Sequence, residues 1–159
     1  MDNLAELIDE CVELELNVAG IYTLFHFAIP EDAEFWWQLH QEERNYADLL
    51  RSINETFLPA DVYPDNLMLP SLETLKKTNT RLCSLLEKYR NHPPERDEAF
   101  LVALEIENSA GEIHFQKFTA TKSMSKIDKV FQELIRDDKD HAQRIMLYML
   151  DRGFQPPKI

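Results

Sequence analysis

Apolar residues recur at helical spacing along most of the chain, and this pattern predicts long amphipathic helices. A first apolar stripe runs from Leu4 to Phe25, and a second runs from Phe35 to Ile53. Between them, Pro30 favours a turn because proline cannot continue a helix interior but fits at a helix start. The first third of the chain is therefore predicted to be a pair of helices joined by a short turn.

The middle of the chain carries two further breaks. A proline-rich connector occupies residues 58–70, and Ser71 after it is a predicted N-cap for a shorter helix. The segment "NHPPERDE" at 91–98 then ends that helix. We expect a long crossover that contains one short extra helix.

The last third of the chain repeats the arrangement of the first. A third long stripe passes through Phe100 and Phe118, a turn is predicted near "TKSMSK" at 121–126, and a final helix is predicted from about Ile127 to a C-cap at Gly153. The predicted fold class is all-α. Its architecture is a four-helix bundle of two antiparallel hairpins joined by the crossover.

Length and charge limit the classes of protein. With 159 residues, 44% of them hydrophobic, the chain suits a single domain covering 1–159. A formal net charge of −12 without a basic stripe argues against partners that are nucleic acids or anionic membranes. Cys11 and Cys83 stand apart, so neither a disulfide framework nor a rubredoxin-type iron site is indicated. The N-terminus lacks a signal-peptide pattern, and we expect a cytoplasmic protein.

Each predicted long helix places one carboxylate on its apolar face. These residues are Glu15, Glu43, Glu107 and Asp138. Asp138 is followed three residues later by His141, which lies on the same helix face. Unpaired buried carboxylates are costly, so such a set makes sense when cations bind there.

The spacing along the chain predicts that the four acids lie at one level. In the first hairpin they lie 15 residues before and 13 residues after Pro30, and in the second 16 before and 15 after Ser123. At about 1.5 Å per residue, each acid is roughly 20 Å from its turn. A packed bundle would bring the four carboxylates and the imidazole together.

The two hairpins also resemble each other in sequence. "ELNVAGIY" at 15–22 aligns with "ENSAGEIH" at 107–114, and "EERNYADLL" at 42–50 aligns with "DDKDHAQRI" at 137–145. This internal repeat predicts a two-metal site with pseudo-twofold symmetry. In the first copy, Tyr46 stands where the second copy has a histidine.

The pattern of acids resembles the ferritin-like superfamily, and most closely its rubrerythrin-type diiron domain without a rubredoxin module, over about residues 4–152. The metal ligands that the resemblance implies are Glu15, Glu43, Glu107, Asp138 and His141. It implies two iron ions, with manganese as the alternative. Glu43 and Glu107 would bridge the ions, and His141 would be a terminal ligand.

Two positions depart from the family pattern: Tyr46 replaces a histidine, and Asp138 replaces a glutamate. Tyr46 could bind ferric iron, hydrogen-bond a ligand or mark a weaker second site, and we favour the last two. His40 is a lesser ligand candidate because it lies about 60° round the helix from Glu43's direction, on the flank opposite Tyr46. Tyr22 and His114 are expected behind the ligands.

The expected function is an oxidoreductase, a rubrerythrin-like peroxidase or ferroxidase, that oxidises Fe(II) or reduces peroxide. Its expected partners are metal ions with O₂ or peroxide, while the electron donor and a homodimeric assembly stay open. One alternative is a bacterioferritin-type iron-storage subunit, which the 64 residues between Glu43 and Glu107 disfavour. Another is a degenerate non-catalytic bundle with one metal or none, which Tyr46 favours.

Overall fold

The computed structural model describes residues 4–57, 70–115 and 141–155, with the side chains of 53, 56, 57 and 110–115 left out. All regular secondary structure in these ranges is helical, which confirms the all-α prediction. The α-helices are α1 (Leu4–Ala28), α2 (Ala33–Phe57), α3 (Leu72–Asn91), α4 (Arg96–Phe115) and α5 (residues 141–151).

The predicted helix boundaries in the first two thirds of the chain are confirmed. Pro30 opens a short 3-10 helix, Pro30–Asp32, between α1 and α2. The hydroxyl oxygen of Ser71 accepts a hydrogen bond from the backbone N–H of Thr74 at 3.2 Å, so Ser71 is the N-cap of α3. This bond satisfies one of the N–H groups that a helix start leaves without an intrahelical acceptor.

The predicted C-cap at Gly153 is also confirmed. Gly153 has a φ of 79°, a left-handed conformation that glycine adopts without a Cβ clash. Its N–H donates to the carbonyl of Leu150 at 3.1 Å, and the N–H of Phe154 donates to the carbonyl of Met149 at 2.9 Å. Together the two bonds form a Schellman motif that ends α5.

Three predicted features lie outside the described residues. They are most of the connector at 58–70, the turn near 121–126 and the start of the last helix near Ile127.

Helices α1 and α2 pack together along their length and run in opposite directions. Near one end, the amide of Asn54 donates to Asp9 at 2.8 Å, and near the other the rings of Phe25 and Trp36 lie 5.1 Å apart. Because an early residue of α1 meets a late residue of α2, each level of α1 has a fixed partner in α2.

Helix α3 packs on the outside of α1 and runs in the same direction. The ammonium of Lys76 donates to Glu6 at 2.8 Å near the start of both helices, and the rings of Tyr89 and Phe25 lie 5.6 Å apart near their ends. Helix α3 therefore lies on α1 rather than between α1 and α2.

An aromatic cluster joins α4 and α5 to α2. Phe100 of α4 lies 4.7 Å from Trp36 and 5.7 Å from Tyr148 of α5, measured between ring centroids. Phe35 of α2 stacks on Tyr148 at 3.9 Å. Full burial of such side chains contributes about 1.5–3 kcal/mol each, so this cluster fixes how α4 and α5 sit against α2.

No single helix in the described parts of the chain is long and apolar enough to cross a membrane. Leu4–Ala28 and Pro30–Ser52 pass that test of length and composition only as a pair bent by 119°.

Candidate metal centre

Three helices bring one ligand residue each to a buried cluster. Glu43 of α2, Glu107 of α4 and His141 of α5 each offer a ligand atom, and these atoms all lie within 4.8 Å of one another. The three residues are 2%, 5% and 0% exposed. Two carboxylates and an imidazole at this separation could hold a metal ion.

The local sequence explains why the glutamates point inward. Glu43 lies one turn from Leu39 and Ala47, and Glu107 lies one turn from Ala103, all of which are fully buried. Residues four apart share a helix face, so each glutamate must follow its apolar neighbours into the interior. The alanines occupy little volume and leave room for the carboxylates.

The imidazole of His141 is held from its far side by Glu42. Its Nε2 lies 2.6 Å from Oε2 of Glu42, and the same oxygen accepts a hydrogen bond from Nη1 of Arg144 at 2.6 Å. A carboxylate at Nε2 keeps a proton there and directs Nδ1 toward the cluster.

The other ring nitrogen of His141 faces the carboxylates without a hydrogen bond. Nδ1 lies 2.8 Å from Oε1 of Glu43 and 3.6 Å from Oε2 of Glu107, but its N–H direction misses both oxygens. A buried nitrogen that is surrounded by acceptors yet forms no hydrogen bond is the geometry of a metal ligand. The donor set therefore fits a bound cation.

Charge in the cluster raises the pKa of His141. Burial by itself lowers this pKa, but the charge of Glu43 and hydrogen bonds to Glu107 and Glu42 raise it well above its ordinary value. Without a cation, the imidazole therefore holds a second proton. Metal binding would release that proton, because the ligand nitrogen must be neutral.

Glu42 and Arg144 are functional residues that the sequence reasoning missed. Burial raises the pKa of Glu42, but hydrogen bonds from His141 and Arg144 outweigh it and lower this pKa to about 2. Glu42 directly precedes Glu43, and Arg144 follows His141 by three residues. An arginine on the histidine's face of α5 was a signal that a carboxylate lies nearby.

Glu15 of α1 joins the cluster through Glu43. Burial raises the pKa of Glu15 well above its ordinary value, and the charge of Glu43 raises it further. Glu15 therefore keeps its proton and donates a hydrogen bond to Glu43. The pKa of Glu43 is itself raised to about 7, first by burial and then by the charge of Glu107, against the lowering charge of His141.

Tyr22 lies behind Glu107, where the family resemblance places a tyrosine. Its hydroxyl donates a hydrogen bond to Oε1 of Glu107. Burial, and then the charges of Glu107 and Glu43, raise the pKa of Tyr22 well above its ordinary value, so the phenol holds its proton. Its ring stacks on Trp36 at 5.7 Å, which fixes the direction of the hydroxyl.

Two of the weaker sequence candidates lie in different places. Tyr46 is 8% exposed, and its ring centroid lies 5.7 Å from that of His141, so it borders the cluster. His40 is not brought to the cluster. Its Nδ1 lies 2.9 Å from the carbonyl oxygen of Ala19 and 2.8 Å from the hydroxyl of Thr23, both on α1.

Two further candidates stay predictions. Asp138 lies outside the described residues, and so does the side chain of His114. The described part of the predicted ligand set is therefore Glu15, Glu43, Glu107 and His141.

Comparison of the chain with protein-family models, with curated proteins and with solved structures finds no match. The case for a function consequently depends on the chemistry of the cluster.

Proposed function

We propose that this chain is a ferritin-like, rubrerythrin-type metalloprotein that oxidises Fe(II) or reduces peroxide at a diiron site, with manganese as the alternative metal. The observation that carries the proposal is the convergence of Glu43, Glu107 and His141 within 4.8 Å in the protein interior. Carboxylate oxygens and imidazole nitrogens suit iron and manganese. Burial gives the site a low effective dielectric, in which the carboxylates attract a cation strongly.

The packing of the helices supports a four-helix bundle of α1, α2, α4 and α5. Helices α1 and α2 run in opposite directions, as α4 and α5 do, because Glu107 faces His141 while Phe100 faces Tyr148. Helix α3 lies outside α1, which suits a helix in the crossover. In this bundle the ligands come from different helices at a single level.

The residues of the chain divide the work at such a site. Bound iron would supply the electrons that reduce O₂ or peroxide. Glu43 and Glu107 provide the negative charge that retains the cation, and His141 provides Nδ1. Glu42 fixes the orientation of the imidazole, and Tyr22 fixes Oε1 of Glu107.

Glu15 and Asp138 would complete the ligand set for a second ion. Glu15 already contacts Glu43, and its proton is the one that a second cation would displace. Tyr46 borders His141 at the position where the family has a histidine. We propose that Tyr46 hydrogen-bonds a ligand or marks the weaker of the two metal positions.

A metal count tests this proposal. The purified protein is loaded with Fe(II) without oxygen, desalted and analysed for bound iron, and we expect about two ions per chain. His141→Ala should lose bound iron, whereas His92→Ala, which removes an exposed histidine at the end of α3, should not. Less than one ion per chain in the unmodified protein would overturn the proposal.

A one-metal site is the second candidate, and the observation that favours it is the presence of three convergent ligand atoms in the described residues. Three protein ligands are enough to hold one ion with open positions. A stoichiometry of one, unchanged in Glu15→Gln, would select this candidate. Oxidation of added Fe(II) under air then distinguishes a catalytic centre from a degenerate one.

The setting of the proposed activity follows from the same chemistry. O₂ or peroxide is the proposed co-substrate. A reducing cytoplasm is the proposed location, and it suits the two free thiols of Cys11 and Cys83.

A further inference from the structure

A cavity separate from the metal cluster lies where α1, α2 and α3 meet. Its volume is about 340 Å³, near the lower end of the range for small-molecule pockets. Small and aliphatic residues of α1 form its apolar surface, namely Leu16, Ala19, Gly20 and Leu24. None of these residues belongs to the metal cluster.

Basic side chains from the other two helices line the same cavity. Arg44 of α2 and Arg90 of α3 both contribute to its wall. No residue in the described parts of the chain pairs with either guanidinium, whereas Arg81, Arg96 and Arg144 all have carboxylate partners there. In a chain of net charge −12, two arginines without carboxylate partners beside one cavity are a local positive site.

His40 adds a third polar group to the cavity wall. Its Nδ1 lies 2.9 Å from the carbonyl oxygen of Ala19, which can only accept, so Nδ1 carries the proton. Thr23, also in the wall, holds the same nitrogen at 2.8 Å. The ring stacks on Trp37 at 4.6 Å, and no described residue contacts Nε2. Nε2 is therefore the ring nitrogen left to bind a ligand.

The geometry points to a ligand site for a small amphiphile with an anionic oxygen headgroup and a short apolar chain, such as a medium-length acyl carboxylate or alkyl phosphate. Arg44 and Arg90 would bind the oxyanion, since guanidinium groups match carboxylate and phosphate oxygens. The aliphatic surface of α1 would cover the apolar chain. This ligand site does not depend on the proposed metal chemistry.

Four probe molecules separate the headgroup from the chain. Binding of octanoate, octyl phosphate, 1-octanol and inorganic phosphate to the full-length protein is measured by calorimetry, with Trp37 fluorescence as a second readout. We expect octanoate or octyl phosphate to bind at least about tenfold more tightly than octanol and phosphate, because only these two carry both features. The tighter of the two then identifies the headgroup.

Variants at the cavity wall test the assignment of residues. The double variant Arg44→Gln, Arg90→Gln should weaken binding of the preferred probe by about tenfold or more. Arg51→Gln is the matched control, because Arg51 lies two turns further along α2 on the same face, outside the cavity, and pairs with Asp48. The control should bind as the unmodified protein does. Circular dichroism confirms that all variants fold.

Three results would overturn this ligand site: no saturable binding of either amphiphile, equal affinity for octanol and octanoate, or unchanged affinity in the double variant. The iron stoichiometry of the double variant should equal that of the unmodified protein. Failure of the metal proposal and failure of the ligand site are thus separate outcomes.

Discussion

Glu42 determines which nitrogen of His141 faces the carboxylates. It bonds Nε2 at 2.6 Å and is itself fixed by Arg144, so the imidazole cannot rotate without breaking two charged contacts. This is the arrangement in which a carboxylate behind a histidine tunes metal affinity. A residue that contacts no metal can therefore decide whether the site binds one.

Glu42→Gln tests that role. The amide keeps the hydrogen bond to Nε2 but removes the charge, and we expect metal affinity to fall about 10- to 100-fold. Affinity is measured by competition with a chelator of known strength. Glu55→Gln, an exposed residue on the same helix, is the control and should leave affinity unchanged. Equal affinity in the two variants would show that Glu42 only packs beside the site.

Titration of the buried acids predicts how the metal-free protein responds to pH. Burial raises the pKa of Glu15 well above its usual value and raises that of Glu43 from 4.5 to about 7. Groups with raised folded pKa values stabilise the fold fully below their unfolded pKa and lose that contribution as the pH rises toward the folded value. The raised pKa of His141 acts in the same direction above its usual 6.5.

We therefore expect the urea midpoint of chelator-treated protein to fall between pH 5 and pH 8. Glu42, with a pKa lowered to about 2, loses its contribution only below its usual 4.5, outside this window. Glu15→Gln should reduce the fall, because the amide carries no proton to lose. A midpoint that is constant or rises with pH would contradict the assignment of protons.

At the scale of the elements, the end of α5 depends on one backbone conformation. Gly153 adopts a φ of 79°, and the two backbone hydrogen bonds around it bring Phe154 back toward the core. Phe154 lies 5.3 Å from Phe100, between ring centroids, and under the guanidinium of Arg96 at 4.5 Å. The cap thus connects α5 to α4.

Gly153→Ala should destabilise the protein by about 1–2 kcal/mol, because a Cβ is unfavourable at this φ. No side chain lies within 4 Å of the position of that Cβ, so a steric contact with the core does not add to the cost. Gly153→Asn is the comparison, since asparagine tolerates this conformation better, and it should cost less. Urea unfolding measures both, and equal costs would refute the backbone explanation.

At the scale of the whole molecule, Asp32 connects three segments at the end remote from the metal cluster. Its side chain is fully buried and accepts two hydrogen bonds from Arg96 of α4, at 2.7 and 2.9 Å. Tyr148 of α5 donates a third at 2.9 Å. The turn between α1 and α2 therefore fixes the ends of α4 and α5, and with them the approach of Glu107 and His141.

Asp32→Ala should destabilise the protein by about 2 kcal/mol or more, because it leaves Arg96 and Tyr148 without their acceptor. Glu31→Ala is the matched control: Glu31 also lies near Arg96, at 3.5 Å, but its side chain is 64% exposed. The control should change stability by less than about 1 kcal/mol. Similar losses in both variants, measured by urea unfolding, would contradict this interpretation.

The sequence predicted the elements of this fold well because local rules decide them. Pro30, Ser71 and Gly153 each act through their own backbone or side chain, and the structure places all three at the predicted helix boundaries. The inward positions of Glu43 and Glu107 followed from their apolar neighbours on the same helix face. The predicted positions of Asp138 and His114 remain predictions.

The sequence by itself determined the helical class, the helix ends and the acids that enter the interior, because these depend on residues within one or two turns. Only the tertiary structure decided the partners across helices. Residues 99 positions apart, such as Glu42 and His141, meet because the packing angle of α5 on α2 brings them together. The same packing turned His40 toward α1 and left Arg44 and Arg90 beside a cavity, which no spacing along the chain encodes.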